Sequence, residues 1–393
     1  MPPPLQGEPT SPQTAAPSEI EVEELRVYAR NVFDAGALPD GLTLPLPDEP
    51  FVPFWEERVA EARERGAFAV LREHLPQLRF PIREGISASA DYQAATRRGT
   101  PPDDLPEATG LEIDRPEVVE LALHASPAGR VPLIVVRGRA EFVAFVRALT
   151  HRNEPKPVPD SQGAIMIAGY NNWSRVHALR KRWEESGAER QTATWKEEFA
   201  RLQPFRELYQ DRFILLSDGP YSAVPASDLG LPDQEWREIS LRIRRDHECA
   251  HYLTRRLFGS MRNNLHDELI ADFAGITAAS RFRADWFLRF LGLEGFPHYR
   301  TGGRLDLYRG DPPLSDGAFR RLHEMIKEAA EVVERFDSGR PDHPGERALA
   351  LLGLATVGLE ALAGPDGEAL LRRAVDDLRG KVGWRGKGAP PAD

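Results

Sequence analysis

The spacing of apolar residues predicts a helical N-terminal part. Apolar side chains recur at helical intervals from Ile20 onward and again over 55–75, with a loop rich in Pro and Leu near 38–53 between them. The stretch 80–116 is charged, contains prolines and has weak periodicity, so we expect a long surface connection or a loop over a cleft. The unit 20–110 is therefore predicted to be a small, mostly helical region.

Three short aliphatic runs follow, and helical segments separate them. The runs are VPLIVVR at 131–137, GAIMIAG at 163–169 and RFILLS at 212–217. Strands of this length between helices are typical of an α/β or α+β domain with one mixed sheet. We predict an α+β domain over 111–313.

The strongest helical pattern runs from Asp233 to Phe258, where Gly259 supplies a stop. A second helix begins near Leu265 and continues through DELIADFAGITAASRF. From 314 to 393 the apolar spacing is again helical, which predicts a helical C-terminal region.

The N-terminal segment and the longest apolar run indicate where the protein is expected to reside. Residues 1–19 are rich in Pro, Ser, Thr and Gln and lack a signal-peptide pattern, so we predict a disordered tail and a cytoplasmic protein. The longest apolar stretch, 348–359, has twelve residues, fewer than the roughly 20 that span a bilayer. It predicts a buried helix and no membrane partner.

Composition narrows the class of protein further. The 393 residues include 51 Lys and Arg against 61 Asp and Glu, for a net charge of -10 and no long basic run. Nucleic acid is therefore not an expected partner, because binding to phosphates depends on clustered positive charge. The single cysteine, Cys249, cannot form an internal disulfide or a cysteine-based zinc site. Any metal would have to be held by histidines and carboxylates.

The helix 233–258 contains such residues in the sequence DHECAHY. His247 and His251 are four positions apart, so both imidazoles lie on one helix face and can reach a single ion. Glu248 is rotated from His247 by about 100°, which puts its carboxylate beside the ion, where it can take a proton from a bound water.

The next helix offers a third ligand. Glu268 lies seventeen residues after His251, a gap that allows the chain to turn and return alongside the first helix. Asp272 is one helical turn further on the same face and can accept the outer N–H of a ligating imidazole.

The pattern His247-Glu248-x-x-His251 with downstream Glu268-x-x-x-Asp272 resembles the gluzincin group of zinc metallopeptidases, the thermolysin-like arrangement. The resemblance covers the 26 residues of 247–272. It implies a zincin-like fold, in which two metal-binding helices lie below a mixed sheet, and Zn²⁺ as the cofactor. It also implies His247, His251 and Glu268 as metal ligands, Glu248 as general base and proton shuttle, and Asp272 as the partner of an imidazole.

The function implied is a zinc-dependent hydrolase, a metallopeptidase that cleaves a peptide or protein substrate. One alternative is a non-catalytic or regulatory binding protein that retains the zincin fold. Another is a helical structural protein in which the motif is coincidental. The sequence leaves the oligomeric state open.

A peptidase of this kind also requires a donor for the oxyanion. The candidates are Tyr252, His266, His298, Tyr299 and Tyr308. We favour His298 or Tyr299 as catalytic, because both lie in GFPHYRTGG, a Gly-rich loop that can fold over the cleft. We also expect RFILLS or GAIMIAG to hold the substrate backbone as an added strand at a sheet edge.

Other residues near the motif have simpler interpretations. We expect Cys249 to pack as a small apolar side chain and His266 to be a surface or capping residue. Arginines around the motif are expected to be solvated or paired rather than to bind a substrate carboxylate: Arg244, Arg245, Arg255, Arg256 and Arg262. A strand-end segment fits a binding loop and a turn with a helix cap equally well: Asn171, Asn172 and Trp173.

Overall fold

The computed structural model describes residues 18–186, 194–261 and 264–385. The predicted disordered tail lies outside the described residues up to position 17, and Glu19 already begins the first helix. The helices are α1 (Glu19–Tyr28), α2 (Val52–Arg65), α3 (Ala67–His74), α4 (Ala90–Arg98), α5 (Arg139–Thr150), α6 (Trp173–Glu185), α7 (Trp195–Leu202), α8 (Asp233–Phe258), α9 (Leu265–Ala279), α10 (Ala284–Leu291), α11 (Asp316–Ser338), α12 (Pro344–Thr356), α13 (Leu359–Ala363) and α14 (Gly367–Arg379). The strands are β1 (Thr43–Leu44), β2 (Val119–Ser126), β3 (Gly129–Val136), β4 (Ala164–Asn171), β5 (Gln210–Ser217) and β6 (Gly383–Trp384).

Four of the strands form one mixed sheet in the order β2-β3-β5-β4. The β2/β3 and β4/β5 pairs are antiparallel, and the β3/β5 pair is parallel. The predicted α+β class with one mixed sheet is thus confirmed. RFILLS lies in β5, in the interior of the sheet, so the prediction that it offers a free edge is wrong. GAIMIAG lies in β4, whose outer edge pairs with no strand in the described part of the chain.

Helices cover both faces of this sheet. Leu133 and Val135 of β3 point into a core that also contains α8 and α9, whereas Ile134 and Val136 point into a second core with α2, α3 and α5. Burial on both faces explains why β3 and β5 are continuous apolar runs without polar alternation. Strand β2 was not predicted, because polar residues such as Glu120 and His124 interrupt its apolar pattern at the edge of the sheet.

Two expectations for the N-terminal region need correction. The helix predicted over 55–75 is divided into α2 and α3 at Gly66, whose φ of 83° lies in the left-handed region that favours glycine. The stretch 80–116 is not only a surface connection. It contains α4, capped by Ser89, and a small core of its own formed by Phe80, Ile86, Tyr92 and Ala95.

Helices α8 and α9 run antiparallel and in close contact. The prediction for α8 is confirmed at both ends, and Gly259 ends it with a φ of 67°. A Cβ atom on Gly275 of α9 would lie 2.5 Å from the carbonyl oxygen of Ile243 on α8. Glycine at this position therefore permits an approach that any larger residue would prevent.

The N- and C-terminal helices share the core around α8 and α9. Leu25 and Tyr28 of α1 and Leu378 of α14 belong to the same apolar cluster as Ile270 of α9. Strand β1 pairs in parallel with β6, which joins the N-terminal region to the end of the described chain. No helix among the described residues has the length and apolar character required to cross a membrane.

Candidate metal centre

Three buried side chains from α8 and α9 converge on one point. The Nε2 atoms of His247 and His251 are 3.1 Å apart. Glu268 faces both, with one carboxylate oxygen 3.7 Å from His247 Nε2 and the other 3.6 Å from His251 Nε2. In the described part of the chain this is the one set of three or more His, Cys, Asp or Glu side chains arranged to hold a metal ion.

Carboxylates bind the outer nitrogens of both imidazoles. His247 Nδ1 lies 2.8 Å from Asp272 Oδ1, the position proposed for Asp272 from the sequence. His251 Nδ1 lies 3.3 Å from Asp267 Oδ2, a partner that the sequence analysis missed although it directly precedes Glu268. Since each Nδ1 faces an acceptor, the proton of each neutral ring belongs on Nδ1, and both Nε2 lone pairs point into the space between the rings.

This geometry fits a tetrahedral metal ion. Zinc bonds to nitrogen and oxygen of 2.0 to 2.2 Å imply neighbouring ligand atoms about 3.3 Å apart. The spacings of 3.1, 3.6 and 3.7 Å among His247, His251 and Glu268 lie close to that value. Two Nε2 atoms 3.1 Å apart are stabilised by a shared proton or by a cation between them. A carboxylate backing each imidazole is the usual environment of a metal-bound histidine.

Arg304 and Tyr221 complete the surroundings of Asp272. Arg304 donates to Asp272 Oδ2 and to the Tyr221 hydroxyl, the latter at 3.0 Å. Tyr221 in turn donates to Asp272 Oδ1 at 2.5 Å. Neither residue was predicted from the sequence, although Arg304 directly follows the GFPHYRTGG loop.

The backbone beside Tyr221 adopts an unusual conformation. Ser222 and Ala223 have φ values of 51° and 57°, in a region that residues other than glycine rarely occupy. Such conformations persist only where the surroundings enforce them, and they cluster at functional sites. Here the turn directs the Tyr221 hydroxyl toward His247, whose Nδ1 is 2.9 Å away.

The electrostatics of the cluster favour a cation. Burial would lower the pKa of His251, but Asp267 and Glu268 raise it well above its ordinary value. Burial would likewise raise the pKa of Glu268, but its hydrogen bond with His251 and the charges of His247 and Arg304 lower it below its usual range. The raised pKa of His251 reflects the negative charge of the two carboxylates beside it, and the lowered pKa of Glu268 keeps that carboxylate ionised and able to bind a cation.

Glu248 lies on α8 beside the cluster and differs from the three converging residues. Its side chain is half-buried, and its carboxylate makes no hydrogen bond or ion pair with the described residues. Arg244, one turn earlier, is almost fully buried and donates to the carbonyls of Ser217 and Gly219. A carboxylate without a fixed partner remains available to accept and release a proton.

The five candidate donors for an oxyanion occupy different environments. His298 is exposed, and Tyr299 donates to the Gly303 carbonyl at 2.8 Å; neither forms a hydrogen bond or ion pair with the cluster in the described structure. Tyr308 is buried, and burial together with the negative charge of nearby Glu268 raises the pKa of its hydroxyl. Two more point elsewhere: the Tyr252 hydroxyl is buried without a described partner, and His266 Nε2 lies 2.9 Å from the Leu354 carbonyl.

The cysteine, a third histidine and the arginines near the motif differ in their burial and partners. Cys249 is buried as a small core residue, as predicted, and burial raises the pKa of its thiol. His266 is not on the surface, because it is 3% exposed and binds α12 through Leu354. Of the arginines near the motif, Arg244 is buried, and Arg245 and Arg256 form hydrogen bonds. The Arg255 guanidinium has no hydrogen bond or ion pair with the described residues, and Arg262 lies outside the described residues.

Fold and site together define an α+β protein with a buried His-His-Glu cluster between two antiparallel helices. Residues 13–366 match the model of the family of unknown function DUF7005. Because the match covers most of the chain, the protein belongs to this family. No curated protein and no solved structure matches it.

Proposed function

We propose that the protein is a zinc-dependent hydrolase, a metallopeptidase of the gluzincin type with a zincin-like arrangement of sheet and helices. The observation that carries the proposal is the convergence of the His247 and His251 Nε2 atoms and the Glu268 carboxylate at tetrahedral spacing, with Glu248 beside them. The position of α8 and α9 against one face of a small mixed sheet supports the same class.

His247, His251 and Glu268 are the proposed metal ligands. These three side chains would hold the ion and would leave room beside it for water or substrate, as catalytic zinc sites require. A zinc ion held there would supply a Lewis acid and would lower the pKa of water far below its bulk value, toward about 7.

Glu248 is the proposed general base. It follows His247 on α8, so it lies beside the open position rather than among the ligands. Its carboxylate has no hydrogen bond or ion pair within the described chain, so no other donor competes with water for its oxygens. The same carboxylate can then deliver that proton to the leaving amine, which makes it both base and acid in one cycle.

The residues behind the ligands hold them in position. Asp272 and Asp267 fix the tautomer and the ring orientation of His247 and His251. Arg304 lies 3.7 Å from Glu268 and bonds to Asp272, so it compensates part of the buried negative charge. Tyr308, which is close enough to Glu268 for that charge to raise its pKa, is the best placed of the five candidate donors to reach a reacting carbonyl.

Strand β4 is the proposed binding surface for the substrate backbone. It is an edge strand, and its early residues Ala164 and Met166 pack on the core that contains α8. An extended peptide added to this edge would have its backbone hydrogen bonds satisfied by β4 while it passes over α8. A peptide or protein is therefore the proposed substrate.

A peptide-library digest tests the function. We expect the wild-type protein to cleave peptides in the presence of zinc, and we expect Glu248→Gln to bind metal but to lose turnover by a factor of about 100 or more. Glu238→Gln, an exposed substitution on the same helix, is the matched control and should retain activity. No cleavage by a zinc-loaded wild type, together with normal cellular function of Glu248→Gln, would favour a binding or regulatory protein.

A further inference from the structure

A pocket with aromatic walls and two arginines lies at the far end of strand β4. Its volume is about 330 Å³, and its lining includes Arg97, Arg206, Trp173, Phe199 and Tyr209. It also includes Asn171, the last residue of β4, and Gln210, the first residue of β5. None of these residues takes part in the metal centre.

Hydrogen bonds fix two of the aromatic side chains by their polar atoms. Trp173 Nε1 donates to the Thr96 carbonyl at 2.9 Å, and the Tyr209 hydroxyl donates to the Gln203 carbonyl at 2.9 Å. Phe199 lies between them, with its ring centroid 6.5 Å from that of Trp173 and 5.7 Å from that of Tyr209. The polar atoms of the walls are thus already used, and mainly ring surface remains for a ligand.

The two arginines are the charged groups that remain available in the pocket. Neither Arg97 nor Arg206 makes a hydrogen bond or ion pair through its guanidinium with the described residues, and none of those residues places an acidic side chain in the lining of the cavity. In a chain with a net charge of -10, a pocket lined only by positive charge selects an anion. A guanidinium also pairs readily with carboxylate or phosphate oxygens and stacks on aromatic rings.

A second cavity shares lining residues with this pocket and extends to helix α8. It has a volume of about 310 Å³, shares Arg206 and Gln210 with the pocket, and is also lined by Gly169 of β4 and Arg255 of α8. Arg255 follows His251 by one helical turn, so it lies on the same helix face, about 6 Å further along the axis. Of the acidic groups in this cavity, Glu49 pairs with Arg212, Asp211 is buried and pairs with Arg175, and Glu207 has no pair in the described chain.

We propose that this aromatic-arginine pocket binds an aromatic side chain and an adjacent acidic side chain of a peptide that lies along the outer edge of β4. The inference rests on the proposed function for the peptide's position on β4. The eight residues of β4 span about 26 Å, so the recognised pair lies several residues away from the bond that is cleaved. The pocket would then select peptides by a motif remote from the catalytic residues.

Binding to fluorescein-labelled peptides of about ten residues, long enough to span β4, tests the proposal separately from catalysis. The full chain carrying Glu248→Gln is titrated against peptides that contain Tyr-Asp, Tyr-Asn, Ala-Asp or Ala-Asn at one position, and anisotropy is measured. We expect Tyr-Asp to bind at least about tenfold more tightly than Ala-Asn. A variant that carries Arg97→Gln and Arg206→Gln together with Glu248→Gln should lose the preference for Asp over Asn. It should keep the preference for Tyr over Ala.

Arg182→Gln is the matched control, because it removes an exposed arginine of α6 that does not line the pocket. Equal affinity for the four peptides, or a preference for Asp that survives loss of both arginines, would overturn the proposal. Binding of free 4-hydroxybenzoate as tight as that of the Tyr-Asp peptide would overturn its peptide part and identify the ligand as a free aromatic acid. Cleavage of the same peptides by the wild type is also measured. Cleavage of all four peptides without preference would overturn only the proposal for the pocket. A preference in binding without any cleavage would overturn only the proposed hydrolase function.

Discussion

At the residue scale, the chemistry of the cluster depends on the carboxylates behind the two imidazoles. Asp272 and Asp267 are 0% and 1% exposed, so each holds a nearly buried negative charge next to one ring. Asp272 forms a hydrogen bond with His247 Nδ1, and Asp267 lies 3.3 Å from His251 Nδ1 as an ion pair. Each carboxylate thus favours a proton on Nδ1 and an unprotonated Nε2 that faces the common point. Their charges also favour a cation at that point.

Asp267→Asn tests this role at the residue that sequence analysis missed. The amide keeps the size of the side chain but removes its charge, so we expect the affinity for zinc to fall by about 10- to 100-fold with the fold intact. Competition with a chelating dye measures the affinity. Asp376→Asn, which removes only an exposed ion pair with Arg379, is the control and should change nothing; an equal affinity for Asp267→Asn and wild type would refute the role.

A second residue-scale prediction concerns His323, whose ring packs 4.6 Å from Phe319 and 5.9 Å from Tyr299. Burial lowers the pKa of His323 to about 4, below the ordinary value of 6.5. The unfolded chain therefore binds the proton more tightly than the folded chain, so stability falls as the pH drops from 6.5 toward 4.

Urea unfolding at pH 7 and pH 5 measures this effect. We expect His323 to contribute about 1 kcal/mol to the loss of unfolding free energy between the two pH values. His323→Leu should reduce the loss by that amount, whereas His298→Leu at an exposed position should not. Identical pH dependence of the wild type and His323→Leu would contradict the prediction.

At the element scale, the close packing of α8 on α9 sets the distance between the ligands. Gly275 lies three residues after Asp272 and faces the Ile243 carbonyl, which a Cβ atom would approach to 2.5 Å. This backbone oxygen cannot rotate away, so a larger residue must separate the helices.

Gly275→Ala is therefore expected to reduce the unfolding free energy by about 1 to 3 kcal/mol and to weaken zinc binding in the folded protein. Chemical denaturation and a zinc titration measure the two effects. Gly380→Ala is the control, because a Cβ there would have no atom within 4 Å. A stable Gly275→Ala variant with wild-type zinc affinity would show that the helix spacing does not matter.

Helical periodicity made much of the site predictable. The bounds of α8 and the positions of His247, His251, Glu268 and Asp272 on facing helices depend on local spacing. Elements whose stability comes from distant packing were missed or misjudged: β2, whose pattern is polar in part, and α4, whose apolar residues fill a separate small core.

Residues that reach the site from loops were not predictable by spacing. Tyr221 and Arg304 are 83 positions apart and meet only in the folded protein. Tyr308 was one of five candidates, but His298 and Tyr299 in the adjacent Gly-rich loop were favoured from the sequence instead. Such contacts arise from tertiary packing, which a single sequence does not encode as a local pattern.

At the scale of the whole molecule, the N-terminal helix is part of the framework of the site. The Tyr28 hydroxyl of α1 accepts from the Leu265 amide at the start of α9 and donates to the Tyr308 carbonyl. One side chain thus joins the helix that carries Glu268 to the segment that carries Tyr308. From sequence, the region 20–110 was interpreted as a separate unit. The hydrogen bond that contradicts this joins residues 237 positions apart in the sequence, so no local pattern indicates it.

Tyr28→Phe should therefore affect both stability and the site. Loss of the hydroxyl leaves a buried amide and a buried carbonyl unpaired, so we expect the unfolding free energy to fall by about 1 to 3 kcal/mol. We also expect a weaker affinity for zinc, because the start of α9 loses its anchor. Tyr209→Phe, which removes a more exposed hydrogen bond to Gln203, should cost less and leave zinc binding unchanged; equal effects of the two substitutions would contradict this view.

The metal content of the purified full chain tests the central claim most directly. After incubation with zinc and dialysis, elemental analysis should find about one zinc per chain in the wild type, in Glu248→Gln and in the control His298→Ala. His251→Ala and Glu268→Ala should retain much less than one equivalent, because each removes one of the three converging ligands. A folded wild-type protein that retains no metal under these conditions would contradict the account.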